Sequence, residues 1–214
     1  MPEAIARGEY RDFTAYHAAT SGAGPRPTLR RALAGLAADA VTPQPLLAID
    51  LGCGTGRDTL PMLAAGLLVL AVDRERGALA ELRQRAAEAE LAGGLVTRCR
   101  DFTRLRLPPA DLVNASFCLP LCPPQRFPAL WRRIRAALRP GGRIAGQLYG
   151  PRDDWAGRPG ITTHGPDELA ALCAGLAVEW LEEEVSDSTT PRGRRKRWHI
   201  WHLVARAPVS GGRS

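Results

Sequence analysis

Residues 46–57, Leu46-Leu47-Ala48-Ile49-Asp50-Leu51-Gly52-Cys53-Gly54-Thr55-Gly56-Arg57, leave a chain few ways to fold. A short apolar run bounded by turn formers suits a strand covered on both faces. Glycine at three alternate positions then lets the backbone turn sharply and press against a ligand before a helix starts near Asp58. The spacing separates two kinds of ligand. A dinucleotide fingerprint, G-x-G-x-x-G, would place its third glycine at position 57, which is arginine. The order present is Asp50-x-Gly52-x-Gly54-x-Gly56.

Downstream, strands and helices alternate, the pattern of a parallel sheet wrapped on both faces. A helix is expected over 58–65, a strand over 68–73 and a helix over 76–91 with Leu79, Leu82 and Ala86 inward. Strands follow over 95–100 and 111–116. A helix over 125–138 then carries Phe127, Leu130, Trp131, Ile134 and Leu138 at core spacing, so Trp131 reads as packing. Gly141 and Gly142 are expected to end that helix before a fifth strand running to Tyr149. A helix over 166–174 and an antiparallel pair, 177–184 with 196–205, complete the sheet. Residues 1–41 read as a helical cap, with Tyr10, Phe13, Tyr16 and His17 on one face of a first helix. In a second helix Thr28 is a possible N-cap, with Leu29, Ala32, Leu33 and Leu36 on the buried stripe. Residues 207–214 read as a flexible tail.

The glycine turn, the run Val69-Leu70-Ala71-Val72-Asp73, the segment Cys99-Arg100-Asp101-Phe102 and the turn Leu138-Arg139-Pro140-Gly141-Gly142 occur in that order. As a set they resemble the motifs of class I S-adenosylmethionine-dependent methyltransferases, over roughly residues 46–206, loosely those of the tellurite-resistance type. The resemblance implies a Rossmann-like α/β fold for residues 42–206. Its sheet would be seven-stranded and mixed, parallel except for an antiparallel last strand, with helices on both faces and S-adenosyl-L-methionine as cofactor. It places Gly52, Cys53, Gly54 and Gly56 against the cofactor, Asp50 near its amino-acid half, Asp73 and the adjoining Arg74 at the ribose, and Asp101 and Phe102 at adenine. Arg57 either meets the cofactor carboxylate or points into solvent. Asn114-Ala115-Ser116-Phe117 is similar to the Asn-Pro-Pro-aromatic signature of amino-group methyltransferases with both prolines missing, so Asn114 either contacts the ligands or caps the strand end. Tyr149, Asp153, Asp154 and His164, in a Gly/Pro-rich stretch, are candidates at an acceptor mouth, and none is specific enough to be assigned as catalytic.

With 45% hydrophobic residues over 214 positions, the chain can build one domain with a substantial core. The longest apolar run, Leu67 to Val72, is far short of a membrane span, and no secretory signal is readable at the N-terminus, so a cytoplasmic protein is expected. Five cysteines without a C-x-x-C spacing read as reduced thiols, with no metal site. The net charge of +7 comes almost entirely from arginine. Its densest run, Arg192 to Arg197, follows the acidic run Glu182-Glu183-Glu184. Pairing the two across a hairpin would compensate much of the charge and disfavour a nucleic-acid site, since phosphate binders keep such charge unpaired. His199 and His202, three apart on a strand, point to opposite faces and make poor co-ligands. A small-molecule acceptor is the expected partner. The alternatives are a catalytically silent S-adenosylmethionine-binding or scaffold protein, an NAD(P)-binding reductase, which Asp50 and Arg57 disfavour, and a nucleic-acid methyltransferase.

Overall fold

The short apolar runs become strands: β1 (Leu47–Leu51), β2 (Leu68–Asp73), β3 (Leu95–Cys99), β4 (Ala110–Ala115) and β5 (Leu138–Tyr149). Between and around them lie α1 (Pro27–Asp39), α2 (Thr59–Ala64), α3 (Arg76–Glu88), α4 (Phe127–Ala137) and α5 (Pro166–Cys173), and the hairpin β6 (Ala177–Thr189) and β7 (Arg195–Arg206) ends the sheet. The computed structural model describes residues 23–39, 45–190 and 193–209. Tyr10, Phe13, Tyr16 and His17 of the expected cap, Arg192 of the basic run and residues 210–214 of the expected tail lie outside them.

The seven strands form one sheet in the order β3-β2-β1-β4-β5-β7-β6. β1 to β5 are mutually parallel, and β7 runs antiparallel to both of its neighbours. All five parallel strands therefore end along one edge. The order reverses between β1 and β4, the switch point at which open α/β sheets leave a crevice.

Strand alternation divides the core into two layers. Ile49 and Leu51 of β1 pack with Leu130 and Ile134 of α4 and Leu169 of α5, while Ala48 faces Leu29, Ala32 and Leu36 of α1 and Met62 of α2. Each fully buried leucine or isoleucine contributes about 1.5–3 kcal/mol, so both helical layers are held chiefly by apolar burial. The second helix of the expected cap thus lies directly on the sheet. Pro27 opens it at the first helical position, where no N–H is needed, and so Thr28 is not the N-cap. Thr28 sits inside the first turn, fully buried, and its hydroxyl accepts a 3.0 Å bond from Gln147 Nε2.

Two other expectations change. Gly141 and Gly142 do not end α4; the helix stops at Ala137, and the glycines form an irregularity within β5, where Ala110 faces Leu138 but Leu112 faces Arg143. Gly141, at φ +78°, donates to Pro208 O, and Ala207 N donates to Gly142 O, so the turn anchors the chain after β7. In the hairpin the acidic run does not meet the arginine run. Glu183 pairs with Arg152 at 2.5 Å and His199 at 2.8 Å, and Glu184 pairs with His202 at 2.9 Å. Arg197 pairs with Asp187 at 3.3 Å. The hairpin extends further than expected, and its register places Glu182 opposite His202 and Asp187 opposite Arg197.

Arg143 joins three elements. Its Nε and Nη2 each donate a 2.7 Å bond to Glu179 of β6, and Nη1 lies 2.8 Å from Asp39 at the end of α1. A Cβ on Gly35 would come within 2.6 Å of the Arg143 guanidinium, so glycine there makes the room. Because the arginine is buried while both acids keep some contact with water, Arg143→Ala is expected to lower stability by about 2 kcal/mol. Urea unfolding of the wild type and variant measures this, and a loss within error of zero would show that water replaces the guanidinium without cost.

Candidate functional site

The glycine turn is shaped from below. Gly52 N and Cys53 N both donate to Val72 O, at 2.8 and 3.1 Å, and Gly56 N closes back on Cys53 O at 3.0 Å. Gly52, Gly54 and Gly56 have φ of +66°, +53° and +91°, a region costly for residues with a Cβ. Two of these glycines also serve inward packing. A Cβ at Gly52 would lie 2.6 Å from Cys118 Cβ, and one at Gly56 would lie 2.3 Å from Leu82 Cδ1. At 52 and 56 the missing side chains thus let the turn rest on β4's exit and on α3, besides leaving its backbone bare.

Three carboxylates surround this turn. Asp73, at the end of β2, accepts from Gly54 N through Oδ2 and from Glu75 N through Oδ1, both at 2.9 Å. Each oxygen keeps a further lone pair. Asp50, on β1, accepts from Thr59 Oγ1 at 2.6 Å and from Asn114 Nδ2 at 2.8 Å. Asp58, directly before α2, accepts from Arg26 N at 2.9 Å, from Ser116 Oγ at 2.5 Å and from the same Asn114 amide at 3.3 Å. All three acids are at most 8% exposed, and among the described residues none is paired with a lysine, arginine or histidine. Burial, followed by the Asp58 charge, pushes the Asp50 carboxyl up to about 7. The neighbouring thiols of Cys53 and Cys118 are raised well above their usual range, also chiefly by burial, and stay neutral.

The other expected residues are distributed as follows. Asn114 is fully buried, with its amide committed to the two acids, so it belongs to the layer beneath the turn and does not open toward an acceptor. Arg57 turns its Nε to Gly24 O at 2.7 Å, tying down the segment that enters α1. Arg74 stands half-exposed, with Nε 3.3 Å from Glu75. Asp101 caps a short 3-10 turn by accepting from Thr103 N at 2.9 Å, with Arg126 at 3.5 Å, and Phe102 lies half-buried against the main core. Gly52, Cys53, Gly54, Gly56, Asp73, Asp101 and Phe102 are thus brought to the strand-end edge, and Asp50 and Asn114 support it from within. The five cysteines are all free thiols.

The candidates at the acceptor mouth are mostly enclosed. Tyr149 is buried at the end of β5. His164 packs on Phe127 at a ring separation of 4.5 Å, and burial lowers its pKa. Asp153 is withdrawn altogether: its carboxylate is completely buried, 2.5 Å from Lys196 Nζ. That ammonium lies 3.5 Å from the centre of the Trp198 ring, 4.5 Å from Trp155 and 4.8 Å from Tyr149. Burial lowers Lys196 to about 8 against the opposing pull of Asp153. The pair and its rings fasten residues 150–165 to β7. In the sequence Lys196 is one member of the basic run that the hairpin is expected to compensate. The available signal was that it is the only lysine among many arginines.

Phe117 carries a second feature that the sequence does not display. It holds φ +53°, a strained conformation for a bulky residue, at the exit of β4, with its N–H on Gln147 Oε1 and the Arg26 guanidinium 4.3 Å above its ring. Strain of this kind concentrates at ligand sites.

The acids allow a test of what the turn accepts. A pyrophosphate would meet buried negative charge, whereas a cation bearing sugar hydroxyls would meet acceptors, so the residues present fit a sulfonium nucleoside. Among the described residues no cluster of His, Cys, Asp and Glu is arranged to hold a metal ion, and no helix is long and apolar enough to cross a membrane.

The raised Asp50 carboxyl carries a stability prediction. Its folded value lies above the unfolded one, so its contribution is complete below about pH 4 and is lost as pH rises toward about 7. Asp50→Asn mimics the neutral acid and should escape that loss, gaining on the wild type between pH 4 and pH 7 by on the order of 2 kcal/mol. Urea unfolding of both proteins at pH 4.5 and 7.5 reads this, and parallel behaviour would contradict it.

Residues 48–142 match the family model described as a methyltransferase domain. No curated protein matches the chain significantly in sequence. Among solved structures, TehB from Haemophilus influenzae superposes with a TM-score of 0.68 at 20% identity, covering 81% of this chain and 62% of that one. This chain therefore spans under two thirds of that relative. Magnesium protoporphyrin IX methyltransferase from Synechocystis PCC 6803, with bound S-adenosylmethionine, gives 0.64 at 19% identity, covering 91% and 90%. The 1,6-didemethyltoxoflavin-N1-methyltransferase of Burkholderia thailandensis, with its acceptor and S-adenosylhomocysteine bound, gives 0.62 at 23% identity, covering 92% and 85%. Strand order and glycine turn give the chain the fold of these methyltransferases, and residues 48–142 within it match the methyltransferase domain.

Proposed function

We propose that the protein transfers the methyl group of S-adenosylmethionine to a small-molecule acceptor. The observation that carries this reading is the set of three buried carboxylates, without a paired cation among the described residues, around a glycine turn at the sheet's switch point. When bound, the cofactor supplies an electrophilic methyl group on a cationic sulfur. Asp73 has acceptor capacity left for ribose hydroxyls, each such bond to an ionised oxygen contributing roughly 1.5–3 kcal/mol. Gly54, held by its N–H on Asp73, keeps the turn close to that carboxylate. Asp101 and Phe102, just beyond the end of β3, are assigned to adenine. Arg57 and Asn114 act through the architecture, the first on the segment before α1 and the second on the acid layer.

The acceptor belongs beyond β4 and β5, between Ser116–Phe117 and residues 150–165. Two of the structural neighbours are named for small molecules, magnesium protoporphyrin IX and 1,6-didemethyltoxoflavin, which supports a small-molecule acceptor here. A nucleic-acid acceptor is less well supported, because Lys196 is buried on Asp153 and Arg197 is paired with Asp187, removing charge from the basic run. With Tyr149, Asp153 and His164 enclosed, alignment of the acceptor and exclusion of water carry the catalysis. The same enclosure favours the second reading, a cofactor-binding protein without transfer activity.

Isothermal titration with S-adenosylmethionine should show binding, and Asp73→Ala should lose at least about tenfold in affinity. Unchanged affinity would remove Asp73 from the site, and tighter binding of NAD or NADP would replace the cofactor assignment. Methyl-labelled cofactor incubated with cell extract should pass label into the small-molecule fraction; label that never leaves the cofactor across varied extracts supports the silent binder.

A further inference from the structure

The net charge of the chain is concentrated in one part of it. Residues 91–151 hold ten arginines against two aspartates, with no lysine, histidine or glutamate, an excess of eight that exceeds the +7 of the whole protein. In the neighbouring stretch 74–90 the signs balance, four arginines against four glutamates. The fold gathers most of the excess on one face. Arg98 lies beside Val72 in the β2–β3 register, and Val72 belongs to the core under α4, so Arg98 stands on the α4 side of the sheet. Beyond β3 the chain crosses that side with Leu105 and Leu107 packed on the same core, and Arg104 and Arg106, which alternate with them, are exposed. Arg133 of α4 donates through Nη2 to Thr103 O, so the helix lies alongside this segment, and Arg126, directly before α4, reaches Asp101 at 3.5 Å. Arg98, Arg100, Arg104, Arg106, Arg126 and Arg133 thus form a basic strip beside a helix of 11 residues, which is about 16 Å long. The two acids of the block do not neutralise it. Asp101 also accepts from Thr103 N, and Asp111 is held by Arg139 and Leu47 N. Among the described residues Arg98, Arg100, Arg104 and Arg106 have no ion-pair partner. The acids outside the described residues are Glu3, Glu9 and Asp12, too few to offset the excess.

We propose that this strip docks the phosphate backbone of a double-stranded nucleic acid, without selecting its sequence. Guanidinium groups pair with phosphate oxygens bidentately, and the gain comes from counterions released by charge that the protein leaves uncompensated. Other partners for a basic face fit less well. Among the described residues Val96 is the one exposed large apolar side chain next to the strip, so it offers neither the apolar centre of a protein interface nor the inserted side chains of a membrane surface. Phe102, the nearest ring, is half-buried against the core, which leaves little to stack the bases of a single strand. The strip follows β3 and the outer side of α4, whereas the proposed acceptor wall lies beyond β4 and β5. The bound polymer is therefore a tether and not the methyl acceptor, and the inference stands independently of the cofactor assignment.

Fluorescence anisotropy of the full chain with a labelled DNA duplex of about 20 base pairs reads this directly. Affinity should fall by about 40- to 150-fold between roughly 50 and 200 mM salt, the loss for three or four neutralised phosphates. A duplex of unrelated sequence should bind equally well, because phosphate contacts carry no sequence information. Arg98→Gln with Arg106→Gln removes two exposed charges away from the proposed cofactor residues. This variant should keep its circular dichroism, bind the duplex at least about tenfold more weakly and lose roughly half of the salt dependence. Arg194→Gln with Arg195→Gln removes the same charge from the hairpin and should stay within about twofold of the wild type. Equal losses in the two variants would show a response to net charge alone and overturn the strip as a site. Failure of the wild type to bind the duplex at the lower salt, or its capture by phosphatidylglycerol vesicles in preference to the duplex, would overturn it as well.

Discussion

A single amide, that of Asn114, spans the place where the sheet changes direction. Asn114 of β4 lies in register with Asp50 of β1, and its Nδ2 bonds both Asp50 and Asp58. Through Asp58 it reaches Arg26 N at the entrance to α1 and Ser116 at the exit of β4. Through Asp50 it reaches Thr59 at the start of α2. Removing this polar layer would leave buried carboxylates without donors and would free three chain segments at once, which is why the turn, α1 and the β4 exit behave as one construction.

The opposite end of the strand-end edge is held by a different chemistry. Residues 150–165 contain little regular structure, yet they are pinned by the Lys196–Asp153 pair inside the Tyr149, Trp155 and Trp198 rings. A buried ion pair adds little net stability compared with well-packed apolar groups, but it rejects alternative placements, because either charge alone in that setting is costly. The candidate acceptor wall is therefore positioned by β7, which arrives last in the chain and antiparallel.

Most of the fold was legible because burial on both faces writes short apolar runs and helical stripes directly into the residues. Leu79, Leu82 and Ala86 of α3, and Phe127, Leu130, Trp131 and Ile134 of α4, all lie in the core as their spacing requires. Local signals misled where a long-range contact took over. Thr28 resembles a cap, but Gln147 draws its hydroxyl inward across 119 positions. Gly141 and Gly142 resemble a helix stop, but they join β5 to the chain after β7. The acidic run 182–184 finds His199, His202 and Arg152 in place of the arginines next to it in sequence.

By itself the sequence determined the alternating architecture, the glycine turn after β1 and an acid at the end of β2, since periodicity and spacing are properties of neighbouring residues. The antiparallel closure and the likeness to known methyltransferase motifs were readable on the same grounds. Only the tertiary structure decided which acids share Asn114, which glycines face inward and which charges of the basic run are withdrawn into a ring of aromatics. Those outcomes depend on distances between residues far apart in the chain, and the cost of burying a charge is set by what surrounds it in three dimensions.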